Sequence, residues 1–280
     1  MATHPAITPG RVAVITGGAS GIGLAAAERL GGAGMRLLLA DIDGAELGQA
    51  ADALRGQGIA VEPIRTDVSD EGQVGRLKQA ADALGPVSFL MNNAGREGGG
   101  GLLAGAAVWQ ATIATNLMGA AYGVQHFLPG MLAADWPCAI VNTGSKQGIT
   151  APPGDTAYNV SKAGLKVLTE SLAHDLLPTA GRVSAHLLIP GSTFTGFTRR
   201  RGISEKPPGA WTAGQVADFM LEGMARGDFY LLCPDNDVTR PIDERRIAWS
   251  AGDIIANRPA LSRWHPDYAE AFAKFMSGVA

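Results

Sequence analysis

The sequence contains little cysteine and shows no clustering of metal-binding residues. Of its 280 residues only two are cysteines, Cys138 and Cys233, with no CxxC pair and no neighbouring histidine. This pattern excludes a disulfide framework, and the five histidines show no HxxxH spacing, so we predict no metal site. Such cysteine usage is typical of a reducing compartment, and we expect a cytoplasmic protein.

A strong net charge and long apolar runs are also missing. The formal net charge is −3 with a pI of about 6.0, and the longest basic run, Arg199 to Arg201, has three residues. That run either is solvated or grips an anionic substrate, but the balance does not suit nucleic-acid binding. No apolar run approaches the roughly 18 residues of a membrane helix, and the N-terminus lacks a signal-peptide pattern. We therefore expect neither a nucleic acid nor a membrane as partner, and no export.

Short apolar runs alternate with stretches of helical spacing along the chain. The predicted strands are Val12 to Thr16, Arg36 to Ala40, Val61 to Arg65, Phe89 to Asn92, Ala139 to Asn142, Ser184 to Ile189 and Phe229 to Cys233. The predicted helices are Gly23 to Gly34, Gly44 to Gly56, Gly72 to Leu84, Val108 to Met131, Ala157 to Asp175 and Thr212 to Arg226. This alternation predicts a seven-stranded parallel sheet with helices on both faces, a doubly wound, Rossmann-like α/β fold.

No linker or repeat divides the chain, so we predict one domain over residues 1–280. The stretch at about 191–211 has no clean period and is predicted to be a lid-like loop after the sixth strand. A C-terminal extension at about 235–280 carries a predicted helix, Ile242 to Ala256, and aromatic residues suited to packing. The glycine-rich segment Arg96 to Gly101 is predicted to be mobile.

A glycine-rich turn follows the first strand directly and opens the first helix. Residues 16–23 read TGGASGIG, with the spacing GxxxGxG. Small residues there let a pyrophosphate approach backbone N–H groups at a helix N-terminus. A turn with a helix start is the alternative for such a triplet in isolation. The residues expected to contact a dinucleotide are Gly17, Ser20, Gly21, Ile22 and Gly23.

Asp41 ends the second strand, 18 residues after Gly23. This is close to the roughly 20-residue offset at which a carboxylate meets the hydroxyls of the adenosine ribose. Its charge would repel a 2′-phosphate, and the turn positions Ala19, Ser20 and Ile42 supply no Lys or Arg. The sequence thus favours NAD over NADP. A helix N-cap or turn carboxylate is the alternative role for Asp41.

Five motifs in order, spanning Arg11 to about Pro234, resemble the short-chain dehydrogenase/reductase family. They are residues 16–23, Asp67-Val68, Asn92-Asn93-Ala94-Gly95, Tyr158-Asn159-Val160-Ser161-Lys162 and Pro190-Gly191. The resemblance implies further contacts to the dinucleotide from Asp67, Val68, Asn93, Ala94, Gly95, Tyr158, Lys162, Pro190, Gly191, Thr193 and Thr195. The family usually has a small apolar residue at the position of Thr193.

The resemblance places a catalytic tetrad on Asn116, Ser145, Tyr158 and Lys162. The i, i+4 spacing itself puts Tyr158 and Lys162 on one helix face, where the ammonium can stabilise a phenolate and lower the phenol pKa from about 10. We expect Tyr158 to act as general acid/base and Ser145 to hydrogen-bond the substrate oxygen. Asn116 resembles the family asparagine that holds a water between the lysine and solvent. A helix-distorting polar residue is its alternative role.

These residues imply an NAD-dependent oxidoreductase that transfers a hydride between NAD(H) and a small secondary alcohol or ketone. By resemblance we expect a homo-oligomer, a tetramer or dimer, formed through the two long helices Val108 to Met131 and Ala157 to Asp175. An NADPH-dependent carbonyl reductase is one alternative, which Asp41 disfavours. A non-catalytic dinucleotide-binding regulatory protein is another, and such proteins normally lose members of the tetrad.

Residues that would select the substrate are not defined by motifs. Lys146 and Gln147 follow Ser145 and either touch substrate or face solvent. Phe194, Phe197 and Trp211 are predicted to form an apolar pocket wall.

Overall fold

Parallel strands form the centre of the molecule in the computed structural model, which describes residues 3–196 and 202–277. The strands are β1 (Val12–Thr16), β2 (Arg36–Asp41), β3 (Val61–Arg65), β4 (Val87–Asn92), β5 (Cys138–Thr143), β6 (Val183–Ile189), β7 (Thr193–Phe194), β8 (Trp211–Thr212) and β9 (Tyr230–Leu232). Seven of them form one sheet in the order β3-β2-β1-β4-β5-β6-β9, with every neighbouring pair parallel. The predicted seven-stranded α/β fold is confirmed.

Helices pack on both faces of this sheet. They are α1 (Gly21–Gly32), α2 (Gly44–Gly56), α3 (Glu71–Leu84), α4 (Ala106–Ile113), α5 (Gly119–Ala133), α6 (Gln147–Thr150), α7 (Thr156–Asp175), α8 (Ala213–Arg226), α9 (Arg240–Ile255) and α10 (Ala269–Met276). Along β1, Ala13 and Ile15 join a core with α1, α2 and α8, whereas Val12 and Val14 join a second core with α3, α5 and α7. Alternate strand residues point to opposite faces, so both faces are buried.

The order of the strands reverses between β1 and β4. From β1 the chain proceeds outward through β2 and β3, and from β4 it proceeds the other way through β5 and β6. The loops that leave the carboxyl ends of β1 and β4 therefore diverge and open a crevice, where doubly wound folds bind their ligands. The predicted glycine turn and the Asn93 motif both lie at this crevice.

The helix predicted over Val108 to Met131 is not uniform. It runs from Ala106 to Ala133 but contains a π-helical turn at Ala114–Met118, between α4 and α5. A single π turn inside an α-helix often occurs at a functional site. Asn116 lies at the centre of this turn, so part of its alternative role, the distortion of a helix, is observed.

The described ends of the stretch 191–211, which is predicted to be a lid-like loop, lie next to each other. Its ends pair as the two short parallel strands β7 and β8, and the N–H of Trp211 donates to the carbonyl of Ser192 (2.9 Å). Trp211 packs edge-on against Phe219 of α8, with 5.9 Å between ring centres, and joins the core there. Trp211 is only partly buried, and its place in a pocket wall stays a prediction. Phe197 and the run Arg199 to Arg201 lie outside the described residues.

The C-terminal extension forms a small aromatic core of its own. Trp249 of α9 is buried, and its ring centre lies 5.3 Å from that of Phe272 and 5.2 Å from that of Phe275 on α10. The predicted packing role of these aromatic residues is confirmed. Across the part of the chain that the structure describes, no helix combines the length and the apolar character needed to cross a membrane.

Candidate active site

The glycine turn is too tightly packed to accept side chains. Gly17 and Gly21 have φ values of +65° and +57°, which glycine adopts without strain. A Cβ on Gly17 would lie 2.8 Å from Cα of Ala94, and one on Gly23 would overlap the carbonyl oxygen of Gly17. The turn thus packs closely against the end of β4.

The Asn93 side chain hydrogen-bonds across the carboxyl ends of β1, β4 and β5. Its amide nitrogen donates to the carbonyl oxygens of Thr16 (3.1 Å) and Gly17 (3.2 Å), and its amide oxygen accepts from the hydroxyl of Thr143 (3.2 Å). The hydroxyl oxygen of Thr16 accepts in return from the N–H groups of Asn93 and Ala94. The Asn93 side chain therefore has a structural role. The predicted contacts of Asn93 and Ala94 with a dinucleotide would have to come from their remaining backbone atoms.

The N-terminus of α1 is suited to a pyrophosphate. Ser20 occupies the N-cap position without a side-chain cap hydrogen bond, and the first turn contains no acidic residue. The N–H groups of that turn and the helix dipole thus form a cradle suited to an anion. Thr195 reaches the same place, since a Cβ on Gly21 would lie 3.3 Å from Cβ of Thr195. These features fit a dinucleotide, which residues 17–23 would hold.

Asp41 lies beside the turn, as predicted. Its Oδ2 accepts from the N–H of Ala19 (3.1 Å), and its Oδ1 accepts from the N–H of Asp43 (3.1 Å). The N-cap of α2 is Asp43, so the helix-cap alternative for Asp41 is excluded, whereas its bond to the N–H of Asp43 agrees with the alternative of a turn carboxylate. Sequence reasoning missed Arg65. Its backbone lies opposite that of Asp41 in the register of β2 and β3, and its Nε donates to the carbonyl of Ile42 (3.1 Å). The Arg65 guanidinium therefore lies at the backbone of Ile42, one residue after Asp41.

Asp67 and Val68 form the entry to α3. Oδ1 of Asp67 accepts from the N–H (2.9 Å) and hydroxyl (2.7 Å) of Ser69. Val68 is buried, and a Cβ on Gly119 would lie 2.7 Å from its Cγ2. With the Val68 side chain packed against α5, any contact of this residue to adenine is left to its backbone.

The segment Pro190-Gly191 directly follows β6 and packs closely against Lys146 and Asp235. The Pro190 carbonyl accepts from the N–H of Lys146 (3.3 Å), and a Cβ on Gly191 would overlap Oδ2 of Asp235. Thr193 belongs to β7, and its hydroxyl donates to the Gly191 carbonyl (3.2 Å). Glycine is thus required at 191 for close approach, whatever the ligand.

Tyr158 and Lys162 lie on the first turns of α7, with Nζ of Lys162 5.6 Å from the centre of the Tyr158 ring. Lys162 is buried, and its Nζ donates to the carbonyl of Thr143 (2.7 Å) at the end of β5. Within the described residues no carboxylate lies at ion-pair distance from it, and burial lowers the pKa of Lys162 to about 8. An ammonium without a counter-ion beside a phenol favours the phenolate form.

Ser145 precedes the short helix α6, and its hydroxyl oxygen accepts from the N–H of Gln147 (3.2 Å). The next turn packs directly on α7, because a Cβ on Gly148 would lie 2.6 Å from the carbonyl carbon of Lys162. Ser145 is half-buried. The structure thus brings the loop that carries Ser145 against the helix that carries Tyr158 and Lys162.

Asn116 is buried in the π turn and fully engaged. Its amide oxygen accepts from the N–H of Arg96 (2.7 Å), and its amide nitrogen donates to the Arg96 carbonyl (2.9 Å) and the hydroxyl of Ser161 (3.0 Å). A Cβ on Gly95 would lie 3.4 Å from the Asn116 amide oxygen and 3.7 Å from Nζ of Lys162. The four predicted catalytic residues are therefore gathered at the carboxyl ends of β4 and β5.

Asp155 is a residue that sequence reasoning missed. Its Oδ1 caps α7 by accepting from the N–H of Tyr158 (3.2 Å), and its Oδ2 accepts from the N–H groups of Gly98 and Gly99 (3.0 Å each). The glycine-rich loop after β4, predicted to be mobile, is thus tied to the start of the helix that carries Tyr158. An aspartate just before a helix is an N-cap pattern that could have been read from the sequence.

Lys146 has a different environment from the one predicted. Its Nζ lies 2.6 Å from Oδ2 of Asp243 and 3.4 Å from Oδ2 of Asp235, and both carboxylate side chains are only 5% exposed. The sequence predicts that Lys146 either touches substrate or faces solvent. The second alternative is wrong, because the ammonium contacts two nearly buried carboxylates. A carboxylate pair 89 and 97 residues away in sequence has no local pattern that would reveal it.

The described residues contain no cluster of metal-binding side chains, and both cysteines are buried. Among residues 3–196 and 202–277, no three His, Cys, Asp or Glu side chains are grouped so that they could hold a metal ion. Cys138 and Cys233 are buried free thiols, and burial raises their pKa values to about 11 and about 12. Both thiols are therefore protonated at neutral pH and poorly reactive.

Comparison with known proteins agrees with this architecture. The sequence pattern described as short chain dehydrogenase matches residues 11–206. The chain therefore belongs to the short-chain dehydrogenase family and is an oxidoreductase. Its similarity extends beyond the matched segment to whole proteins of this family.

Three relatives illustrate the range of that similarity. The 1-deoxy-11-beta-hydroxypentalenate dehydrogenase of Streptomyces exfoliatus is 31% identical over 268 residues, which cover 91% of this chain and 94% of that protein. A short chain dehydrogenase/reductase of Burkholderia phymatum, solved in complex with NAD, is 36% identical with a TM-score of 0.81, over 90% of this chain and 96% of that chain. A metagenomic short-chain oxidoreductase, solved in complex with NADP, is 28% identical with a TM-score of 0.69, over 81% and 98%.

Proposed function

We propose that this protein is an NAD(H)-dependent dehydrogenase of secondary alcohols or the corresponding ketones, with Tyr158 as general acid/base. The observation that carries the proposal is the buried Lys162 without a carboxylate partner, 5.6 Å from the Tyr158 ring. A bound nicotinamide cofactor supplies the hydride chemistry. Tyr158 moves the proton of the hydroxyl group, and Ser145 donates a hydrogen bond to the substrate oxygen.

Asn116 and Lys162 have supporting roles in this proposal. The π turn that contains Asn116 holds Arg96 and Ser161 beside the site, and Asn116 would position a water next to Lys162. Lys162 lowers the pKa of Tyr158 through its positive charge and would also bind the nicotinamide ribose. The closely packed backbone of β5, which binds Nζ of Lys162 at Thr143, keeps that ammonium in place.

Preference for NAD rests on Asp41. Its carboxylate lies at the glycine turn, where it would accept hydrogen bonds from ribose hydroxyls and repel a 2′-phosphate. The relative from Burkholderia phymatum binds NAD, which supports this assignment. Arg65 beside Ile42 favours the alternative, an NADPH-dependent carbonyl reductase, as does the NADP bound by the metagenomic relative.

The first experiment compares NADH and NADPH binding by fluorescence titration. Wild type should bind NADH more tightly, and Asp41→Ala should weaken NADH binding while improving NADPH binding. Arg65→Gln is the matched variant: it should leave NADH affinity unchanged and lower only the affinity for NADPH. Wild-type preference for NADPH would overturn the cofactor assignment and favour carbonyl reduction.

The second experiment tests the proton transfer with a panel of secondary alcohols. Tyr158→Phe should retain dinucleotide binding while kcat falls at least about 10²-fold, the lower range for loss of a general acid/base. Tyr230→Phe is the control, since Tyr230 hydrogen-bonds Glu170 on the surface of α7. Comparable turnover in wild type and Tyr158→Phe would refute the mechanism.

We further propose a cytoplasmic homo-oligomer built from single-domain subunits. Val160 and Val167 expose 45% and 59% of their surface on α7, and an apolar helix surface of this kind supports subunit contact. Light scattering after size exclusion should give a dimer or tetramer, and a Val167→Lys variant should shift it toward monomer. A monomeric wild type would contradict this assignment.

A further inference from the structure

A cavity of about 40 Å3 lies between α6 and the C-terminal extension. Its lining includes Lys146 and Thr150 from the α6 segment, Asp243 and Arg246 from α9, and Arg263 from the segment before α10. Three of these side chains are cationic and one is anionic. None of them belongs to the proposed dinucleotide or proton-transfer site.

The positive charges at this cavity exceed the negative ones. Asp235 and Asp243 both contact Lys146, and neither Arg246 nor Arg263 has a carboxylate at ion-pair distance within the described residues. Three cations against two carboxylates leave one positive charge uncompensated. A partly buried surplus charge is costly unless an anion neutralises it.

Within the described residues, the guanidinium groups of Arg246 and Arg263 also lack acceptors and lie close to each other. Nε of Arg246 is buried, and among the described residues it has no hydrogen-bond partner. Burial lowers the pKa of Arg263, and the nearby Arg246 guanidinium lowers it further while Asp243 opposes the shift. A buried donor without an acceptor and a like-charged pair are both unfavourable. One ligand with two anionic oxygens would relieve both.

The cavity has room for a small anionic group. A volume of about 40 Å3 admits roughly three water-sized centres, since each needs about 10–15 Å3. A carboxylate group has three heavy atoms in one plane, and its two oxygens match the parallel donors of a guanidinium.

We propose that Arg246 and Arg263 bind the carboxylate group of a small organic acid in the cavity behind α6. This site goes beyond the proposed dehydrogenase activity. It is coupled to that activity through α6, whose N–H at Gln147 holds Ser145 and whose opposite face packs on Lys162 at Gly148. The carboxylate belongs to a free acid that binds on the far side of α6 from Lys162.

Isothermal titration calorimetry with sodium acetate tests the site directly. Saturating NADH keeps the pyrophosphate cradle filled, and ionic strength is held constant. Arg246→Gln and Arg263→Gln should each weaken acetate binding at least tenfold. Arg240→Gln is the matched control on α9, where Arg240 pairs with Glu244 on the surface (2.8 Å), and it should bind acetate as wild type does.

Two results would overturn the proposal: no acetate heat from wild type, or equal affinity in wild type and Arg246→Gln. Arg246→Lys keeps the charge and should recover part of the binding, so misfolding of the glutamine variant would be recognised. The titration needs no turnover. Failure of the dehydrogenase assignment would therefore leave this measurement intact.

Discussion

Two buried lysines on opposite sides of α6 have opposite electrostatic environments. Lys162 is 4% exposed and contacts the carbonyl of Thr143, with no carboxylate at ion-pair distance in the described residues. The Lys146 side chain is 17% exposed and contacts the carboxylates of Asp235 and Asp243. Burial alone therefore does not define the role of a lysine. A missing counter-ion prepares Lys162 for chemistry, whereas two carboxylates make Lys146 part of the framework.

The largest effect is expected for Lys162→Met. Loss of the charge beside Tyr158 should lower kcat/KM at least about 10²-fold. At pH 7 the free energy of unfolding should nevertheless rise by about 2 kcal/mol, because the roughly 3 kcal/mol cost of a buried ammonium with a pKa of about 8 exceeds the lost bond to Thr143. Activity assays and urea unfolding measure the two effects.

The sign of the pH dependence sharpens this prediction. The folded-state pKa of Lys162, about 8, lies below the ordinary 10.5, so between these values the unfolded chain holds a proton that the folded protein has released. Wild-type stability relative to Lys162→Met should therefore rise with pH over that window. A constant difference between pH 7 and pH 10 would show that Lys162 is not desolvated.

Lys146→Met should behave in the opposite way. It leaves two nearly buried carboxylates without their cation, and breaking such a cluster typically costs about 3–5 kcal/mol. Lys166→Met is the matched control, because the Lys166–Glu170 pair is about one-third exposed and should contribute under about 1 kcal/mol. Equal losses in the two variants, measured by chemical unfolding, would mean that the comparison of environments is wrong.

Two buried histidines extend the comparison to acid pH. His4, Ser184 and His186 form a hydrogen-bonded chain, and Nδ1 of His186 faces the carbonyl of Asp228 (2.8 Å), so it carries a proton. Burial, followed by repulsion from His186, lowers the pKa of His4 from 6.5 to about 4. The unfolded chain takes up a proton first, so stability is present above pH 6.5 and lost as pH falls toward 4.

A His4→Asn variant isolates the contribution of His4 to the pH dependence of stability. Asn Oδ1 can replace Nδ1 of His4 as acceptor for the N–H of Ala6. The wild-type loss of stability between pH 7 and pH 5 should shrink by on the order of 1–2 kcal/mol in the variant, measured by urea unfolding at both values. An unchanged pH dependence would assign the acid sensitivity to other groups.

The smallest effect is expected at the start of α7. Asp155→Ala removes the cap of the helix that carries Lys162 and two bonds to Gly98 and Gly99, at a cost of about 1 kcal/mol. KM should rise more than kcat falls, because the glycine-rich loop is released while Tyr158 and Lys162 remain. Asp155→Asn should recover the cap but not the charge. A loss of kcat alone would argue against a role for this loop in binding.

The sequence by itself determined the strands, the helices and the glycine turn. Each depends on local features: apolar runs of strand length, helical spacing between them, and glycines at positions with positive φ or close backbone approach. The spacing of Tyr158 and Lys162 also follows from helix geometry alone. For this reason the parallel seven-stranded sheet agrees with expectation.

Tertiary structure decided which groups from distant segments contact the predicted site residues. The register of β2 and β3 brings Arg65 beside Asp41, and the fold of the C-terminal extension brings Asp243 to Lys146. The π turn at Asn116 depends on Arg96, 20 residues earlier in the chain. Periodicity describes which face of an element is apolar, but not which charged group from a distant segment lies against it. Counter-ions and pKa values are therefore set by packing, and with them the difference between Lys162 and Lys146.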